Sequence, residues 1–361
     1  MNEEICRKLI SGQSRGSCPA IARGVLKIIS SGYAAVIGLR NFLYSKGILK
    51  IHRVNAAVIS VGNITTGGTG KTPLVIWLCN YIGQNYKCAI LTRGYKTRQK
   101  AKGKRQNYED EPAVLAQNCP QAKVIVNPDR AAGAMQAVNA YGANVLIMDD
   151  GFQHRRLARD IDIVVVDAME PFGYGKMLPA GLLREPVDSL KRANAIVITR
   201  CNQAAKSKLA RLEEELQMVN PHITIARSIH KAVFAQYFDG RKTAVEELEG
   251  KKIFAFCGIG NPQGFLDTIK ELKADVIGSI IYDDHHCYTE EDVAEISGQA
   301  ERSKADLILT TEKDRTKIDA MISGDEGGVF AYLAIKLEFI SGEKELRRLI
   351  DEALACKIQK S

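Results

Sequence analysis

Short apolar runs, rich in β-branched residues, alternate along the first two thirds of the chain with segments of helical length such as 128–141. Each run is apolar on both faces. That pattern is typical of a parallel sheet covered by helices on both sides. The predicted strands are Val54–Val61, Cys88–Thr92, Lys123–Val126, Val145–Met148, Ile161–Val166 and Ala195–Thr199.

The alternation of strands and helices stops between residues 221 and 240. The extended runs Ile223–Ser228 and Lys231–Tyr237 there predict an antiparallel ribbon that links two lobes. A second, smaller α/β lobe is predicted from the strand-like runs Lys252–Cys257, Val276–Ile281, Leu307–Thr310 and Gly328–Leu333. The predicted parts are a helical segment at 1–50, a nucleotide-binding domain at 51–220, the ribbon at 221–240 and the second lobe at 241–361.

The amino-terminal fifty residues predict an amphipathic helix. Their longest uncharged run, Ile28–Leu39, has twelve residues, whereas a membrane-spanning helix needs about twenty. Basic and polar residues, including Arg23 and Lys27, fall on one face. The apolar face comprises Ile21, Val25, Ile28, Ile29, Gly32, Val36, Leu39 and Leu43. Such a helix either lies in a membrane interface or packs on the protein's own core, and the pattern alone favours neither.

Composition adds a bias in charge. The 361 residues are 25% charged and 45% hydrophobic, as in ordinary soluble proteins, and the net charge is +8. Residues 1–50 hold eight lysines and arginines against two glutamates. This excess suits a phosphate-bearing ligand or an anionic membrane surface. The nine cysteines include no CxxC pair and are odd in number, which indicates a reducing, cytoplasmic compartment.

A glycine-rich turn joins the first strand to a helix at Val61-Gly-Asn-Ile-Thr-Thr-Gly-Gly-Thr-Gly-Lys-Thr-Pro73. Strand, turn and helix in this order are the context of a phosphate-binding loop. Lys71 would place its charge on the β- and γ-phosphates of ATP, and Thr72 would offer its hydroxyl to Mg²⁺. The predicted nucleotide-binding residues are Thr66, Gly67, Gly68, Thr69, Gly70, Lys71 and Thr72.

This loop departs from two general patterns. Thr65 stands where the common phosphate-binding loop has glycine, and Thr66 stands where membrane-cycling ATPases have a second lysine.

Carboxylates follow a second predicted strand, at Val145-Leu-Ile-Met-Asp-Asp-Gly-Phe-Gln-His154. An apolar strand that ends in aspartate commonly holds Mg²⁺ in enzymes with such a loop. Two adjacent carboxylates at a buried strand end would also repel each other without a nearby cation or donor. Asp149 and Asp150 are therefore the predicted metal ligands.

Two further segments carry candidate chemistry. The acids in Tyr108-Glu-Asp-Glu-Pro112 either cap a helix or point into the site. In Tyr282-Asp-Asp-His-His-Cys-Tyr288, a histidine beside a carboxylate fits general-base work, and the absence of ligand spacing in the sequence disfavours zinc. The glycines of Gly258-Ile-Gly260 fit a tight strand–helix turn better than a dinucleotide fingerprint.

These motifs, in this order, resemble the tetraacyldisaccharide 4′-kinase family, the lipid A 4′-kinases of Gram-negative bacteria. The resemblance covers most of the chain, and Thr65 agrees with the family pattern. Glu109 departs from it, because a glycine is more usual before the aspartate at 110. The motifs are Gly62-Asn63, Gly67 to Pro73, Arg93-Gly94-Tyr95, Asp110-Glu111-Pro112, Asp129-Arg130, Asp149 to His154, Gly181 to Pro186, Asp284-His285-His286 and Thr311 to Asp314.

The resemblance implies that the γ-phosphate of ATP moves to the 4′-hydroxyl of a tetraacylated glucosamine disaccharide 1-phosphate, giving lipid IVA. It implies Asp110 paired with His285 as the base, with His286 as the alternative, and adds Glu185 to the metal set. Arg130, Arg184 and Tyr95 are weaker candidates for phosphate or substrate contacts.

The resemblance further implies a peripheral enzyme on the cytoplasmic face of the bacterial inner membrane, with a lipid substrate, membrane contact through the amino-terminal helix and no nucleic-acid partner. A membrane-tethered ATPase switch and a non-catalytic membrane module remain alternatives. The missing second lysine at Thr66 disfavours the switch, and the intact Lys71, Thr72 and aspartate pair disfavour the non-catalytic module.

Overall fold

The structure is a computed structural model that describes residues 3–94, 110–322 and 327–358. It divides into two compact units that are discontinuous in sequence. The first contains the described parts of Met1–Arg93, Cys119–Ile229 and Leu337–Ser361, and the second contains those of Gly94–Asn118 and His230–Lys336.

The described helices are, in chain order, α1 Glu3–Ile10, α2 Ser17–Ser45, α3 Lys71–Ile82, α4 Asp110–Asn118, α5 Arg130–Tyr141, α6 Lys206–Val219, α7 Pro262–Glu271, α8 Glu290–Arg302, α9 Glu312–Ile318 and α10 Glu343–Ile358. The strands are β1 Ala57–Gly62, β2 Cys88–Thr92, β3 Lys123–Val126, β4 Val145–Asp149, β5 Ile161–Asp167, β6 Ala195–Thr199, β7 Thr224–Tyr237, β8 Lys242–Ala244, β9 Lys252–Cys257, β10 Asp275–Ile281, β11 Leu307–Thr311 and β12 Phe330–Ser341.

The first unit is built on a parallel sheet with the strand order β7-β6-β5-β1-β4-β2-β3. Every residue of β1, β2, β4, β5 and β6 is buried. Burial on both faces explains why these strands are continuous apolar runs in the sequence. Because neighbouring strands are parallel, the residues that follow β1, β4, β5 and β6 lie at the same edge of the sheet.

The second unit is a smaller α/β unit in which β10, β9, β11 and β12 pair in parallel in that order. β7 lies next to β12, and β8 pairs with β7 antiparallel. The predicted α/β fold class is confirmed: the parallel sheet carries the glycine-rich turn after its first strand, and a second, smaller lobe is present.

The structure differs from the expected organisation between residues 221 and 240. The two extended runs predicted to form an antiparallel ribbon are one continuous strand, β7. The division between the units falls within β7 and again within β12. The units therefore do not follow the continuous predicted bounds: the described part of 94–118 belongs to the second unit, and the described part of 337–361 belongs to the first.

The amino-terminal segment forms one long helix, α2, of 29 residues. It is longer than its uncharged run suggested, and 18 of its residues form a window that is long and apolar enough to cross a membrane by length and composition, with 11% of that window buried. The helix therefore extends well beyond its uncharged run of twelve residues, and its length and composition alone do not prevent it from spanning a membrane.

The apolar face of α2 is exposed. Ile21 is 68% exposed, Ile28 is 75% exposed and Val36 is 64% exposed. The opposite side carries the contacts to the first unit: Ser30 Oγ donates to Met177 O at 2.8 Å, and Tyr33 Oη donates to Arg184 O at 3.0 Å. The alternative that the apolar face packs on the protein's own core is therefore wrong.

Candidate active site

The turn between β1 and α3 has the backbone that a phosphate-binding loop requires. Gly67 has φ 106° and Gly70 has φ 88°, both in the left-handed region that favours glycine. Gly70 directly precedes Lys71, the first residue of α3. The helix amino terminus and its free N–H groups therefore begin at the lysine predicted to bind phosphate.

The threonines that depart from the common loop pattern pair with residues 182–184 through backbone hydrogen bonds. Thr65 forms an antiparallel bridge with Leu183, and Thr66 N donates to Leu182 O at 2.8 Å. Arg184 N donates to Ile64 O at 2.7 Å. Since Thr65 pairs as a strand residue, it does not need the conformational freedom of glycine. A β-branched residue suits that backbone.

Residues at the ends of β5 and β6 hold the loop in place. Thr199 Oγ1, at the end of β6, donates to Thr69 O at 2.8 Å, and Arg200 Nη2 donates to Gly68 O at 3.3 Å. Arg200 also pairs with Asp167, and burial lowers the pKa of the arginine to about 10. Sequence analysis did not select these three residues, although each stands at the carboxyl end of a predicted strand, where ligand sites of parallel sheets lie.

Asp150 is the centre of an ion cluster. Its Oδ1 lies 3.4 Å from Lys71 Nζ, and its Oδ2 lies 3.0 Å from Arg184 Nη1. Burial on its own would raise the pKa of Asp150, but the two cations outweigh burial and hold that pKa well below its usual range. Asp150 is therefore ionised, and it aligns two positive groups beside the loop.

Asp149, the last residue of β4, is buried, and Arg130 Nη2 donates to its carbonyl oxygen at 3.2 Å. Thr72, in the first turn of α3, and Asp150 offer further oxygen groups at the same sheet edge. Hydroxyl and carboxylate oxygens are the ligands that Mg²⁺ takes, together with phosphate oxygens and water. Among the described residues no three His, Cys, Asp or Glu side chains are grouped so that they could hold a metal ion by themselves.

Glu185 has a different setting from that of the aspartates. It is fully buried, its Oε1 accepts from Arg40 Nη2 at 2.8 Å, and its Oε2 accepts from Arg192 Nη2 at 2.9 Å and Asn41 Nδ2 at 3.3 Å. Arg40 and Asn41 lie on α2. Two guanidinium groups on a fully buried carboxylate support a structural role in docking α2, whereas the side chain of Asp150 is 23% exposed beside the loop. We therefore propose that Glu185 lies outside the metal set that the resemblance implies.

His154 follows the aspartate pair in a tight turn. Burial and the neighbouring Arg130 lower the pKa of His154 to about 4. The imidazole is therefore neutral at pH 7. This agrees with the structural role that histidines more often have at such turns.

The predicted base lies in the second unit. Asp110 is the first residue of α4; its side chain lies outside the described residues, as does all of Tyr95. The next residue, Glu111, has its Oε1 3.3 Å from Lys313 Nζ, and the same ammonium lies 3.5 Å from His285 Nε2. The fold thus brings the start of α4 and the His285 loop to a shared lysine, although 202 positions separate Glu111 from Lys313.

The two adjacent histidines have different surroundings. His286 Nε2 lies 3.1 Å from Asp292 Oδ2, and its ring stacks on Tyr282 with 4.3 Å between the centroids. His285 has φ 62°, in the left-handed region that residues other than glycine seldom adopt. His286 is thus held by α8 and by its own loop, whereas His285 lies beside Lys313.

The chain is similar to known proteins of one family. Residues 22–355 match the family model described as LpxK, tetraacyldisaccharide-1-P 4′-kinase. A tetraacyldisaccharide 4′-kinase of Halothermothrix orenii is 33% identical over 96% of this chain and 94% of its own length. Another, of Syntrophus aciditrophicus, is 37% identical over 82% of this chain and 84% of its own length.

Among solved structures, the crystal structure of LpxK from Aquifex aeolicus in complex with ATP superposes with a TM-score of 0.70. It is 29% identical, and the match covers 92% of this chain and 99% of that chain.

Proposed function

Because this chain belongs to the tetraacyldisaccharide-1-P 4′-kinase family, we propose that it transfers the γ-phosphate of ATP to the 4′-hydroxyl of a tetraacylated glucosamine disaccharide 1-phosphate, a step of lipid A biosynthesis. It is an ATP-dependent kinase. The observation that carries the proposal is Lys71 at the amino terminus of α3, paired with Asp150 beside a loop of phosphate-binding form.

Phosphoryl transfer depends mainly on positioning and on neutralising charge. The loop N–H groups and Lys71 hold the β- and γ-phosphates. Arg184 adds a second cation, which is held by the same carboxylate, 3.0 Å away. Each cation then faces the negative charge that spreads over the transferring group and the leaving ADP.

Thr72, Asp149 and Asp150 would hold Mg²⁺. These oxygen groups would place the positive charge of the ion beside the phosphates, where it would offset their negative charge. Both aspartates are placed for this by the end of β4, and the ionised state of Asp150 suits a metal ligand.

The acceptor hydroxyl is a weak nucleophile at neutral pH, so a base that accepts its proton speeds the attack. Asp110 with His285 fills this role in the proposal. The O4′–phosphorus bond forms as the bond to the β-phosphate oxygen breaks, and the hydroxyl proton passes to the base. The contact of Lys313 with both Glu111 and His285 supports the pairing, because Glu111 is the neighbour of Asp110.

The exposed apolar face of α2 supports contact with the membrane that holds the lipid substrate. Apolar side chains that lie in the acyl boundary favour binding roughly in proportion to the area they bury. The proposed location is the cytoplasmic face of the bacterial inner membrane, where ATP and the acylated acceptor both occur.

The experiment is a transfer assay with ATP labelled at the γ-phosphate and the tetraacylated disaccharide 1-phosphate in detergent micelles. The expected product is labelled lipid that carries the new phosphate at the 4′ position. The matched control is Lys71→Met, which should transfer label about 10²- to 10³-fold more slowly. Label that appears only in inorganic phosphate, at a rate independent of lipid, would refute the kinase proposal and favour the ATPase switch.

A further inference from the structure

Helix α9 supports α4 at its carboxyl-terminal end. Asn118 Nδ2 donates to Glu312 Oε1 at 2.8 Å, and Arg315 Nη1 donates to Gln117 Oε1 at 3.4 Å. Both contacts lie in the last turn of α4. The far end of the helix that begins with Asp110 is thus held by side chains of α9.

The start of α4 is held by Lys313, also on α9. Its ammonium lies 3.3 Å from Glu111 Oε1, 3.7 Å from Asp284 Oδ1 and 3.5 Å from His285 Nε2. The side chain of Lys313 is 20% exposed, and those of its two carboxylate partners are similarly half-buried. An ammonium has three donors and no acceptor, so one group bridges the first turn of α4 and the histidine loop.

The next residue fixes the backbone of that loop. Asp314 is fully buried, and its Oδ2 accepts from Gly258 N at 3.1 Å and from Thr311 Oγ1 at 2.7 Å. Gly258 O in turn accepts from His285 N at 3.3 Å. A Cβ at Gly258 would lie 3.1 Å from the Cβ of His286, so the turn and the loop pack closely.

We propose that Lys313 is a positioning residue of the reaction, which sets the place of Asp110 relative to His285 by bridging Glu111 to the Asp284–His285 loop. The proposal rests on the proposed function, and it adds a residue to which that function gives no role. Removing the bridge takes away the link between the first turn of α4 and the histidine loop, whereas Asn118 and Gln117 still hold the last turn. The expected defect is therefore in the alignment of the base.

The test compares Lys313→Met, Lys313→Arg and the matched control Arg315→Gln in the micelle transfer assay with the full chain. A misplacement of about 1 Å costs up to about 10²-fold in rate. We expect Lys313→Met to lower kcat by about 10- to 100-fold, with the KM for ATP within twofold of the unsubstituted protein. Lys313→Arg keeps the charge and the donors, and should recover most of the loss.

Arg315→Gln removes a contact at the other end of α4 and should leave kcat within twofold. All variants are compared by thermal unfolding, and Lys313→Gln replaces Lys313→Met if the latter does not fold. A kcat for the neutral variant within twofold of the unsubstituted protein overturns the inference. So does a loss that arginine does not relieve, a loss that Arg315→Gln shares, or a rise in the KM for ATP that accounts for the loss.

Failure of this inference differs from failure of the proposed function. If the unsubstituted protein labels the lipid, and Asp110→Asn and His285→Ala strongly lower labelling while Lys313→Met keeps kcat within twofold of the unsubstituted protein, only the positioning role is refuted. If the unsubstituted protein labels no lipid, the proposed function itself is refuted.

Discussion

Asp150 Oδ1 lies 3.4 Å from Lys71 Nζ, so the carboxylate that follows β4 pairs with the lysine that opens α3. The same carboxylate holds Arg184, on a segment that also pairs with residues 64–66 of the loop. One aspartate therefore aligns the two cations that the proposed transfer uses. Its own ionised state is maintained by those cations.

Replacing Lys71 should lower the rate of phosphoryl transfer much more than it lowers the stability of the fold. We expect Lys71→Met to lower kcat by about 10²- to 10³-fold, the loss typical of removing one preorganised group that stabilises developing charge. The measurement is steady-state transfer to the lipid, with thermal unfolding as the check on folding. Lys87→Met, at an exposed lysine before β2 and so at the opposite sheet edge, is the matched control and should keep full activity. Equal losses in the two variants would contradict the role of Lys71.

Glu185 should matter for stability and not for the metal. Arg40→Met leaves a fully buried carboxylate with Arg192 as its remaining guanidinium partner, and breaking a buried ion pair from one side costs about 3 kcal/mol. We expect this loss in the free energy of unfolding measured by urea denaturation. The concentration of Mg²⁺ that gives half-maximal kcat should not change. A large fall in that concentration would show that Arg40 competes with Mg²⁺ for Glu185 and would return Glu185 to the metal set.

The free energy of unfolding should fall as the pH becomes acidic, because His154 is buried as a neutral imidazole. Its pKa is lowered to about 4 in the folded protein, whereas an unperturbed histidine has a pKa of about 6.5. Between these values the unfolded chain binds the proton more strongly, so the free energy of unfolding rises with pH. The contribution is fully present above pH 6.5 and declines as the pH falls towards 4.

The measurement is urea denaturation of the unsubstituted protein and His154→Gln across pH 4 to 7.5. The glutamine variant should show a flatter dependence in that window. Curves that stay parallel throughout would contradict the assignment. His222→Gln, at an exposed histidine, is the control and should keep the original slope.

Membrane binding should depend on the exposed apolar face of α2. We expect Ile28→Glu to weaken flotation with anionic liposomes by about tenfold or more, because burying a large aliphatic side chain is worth about 1.5–3 kcal/mol. Ser31→Glu adds the same charge at an exposed position outside that face and serves as the control. Equal effects of the two variants would show that charge alone, and not the apolar face, governs binding.

Point variants are the sharper test of α2 than removal of residues 1–50. Arg40 and Asn41 both donate to Glu185, and Tyr33 donates to Arg184 O. Truncation would therefore remove partners of a buried carboxylate together with the apolar face. A loss of activity after truncation would not separate these two causes.

The sequence by itself determined the strands β1 to β6, the phosphate-binding loop and the aspartate pair at the end of β4. These features depend on neighbours along the chain: fully buried strands are continuous apolar runs, and the left-handed turn requires glycine at 67 and 70. The length and exposure of α2 could be predicted only in part from the sequence. Periodicity identifies an apolar face but does not say what covers it.

Only the tertiary structure decided which distant side chains meet. Glu185 pairs with Arg40, 145 positions away, and Lys313 reaches Glu111 over 202 positions. No local propensity encodes such a pair, because its existence depends on how helices pack and on which charges are buried together. The same reason explains why β7 is one strand and why the units are discontinuous: pairing with β6 and β12 extends the strand where its sequence suggested a break.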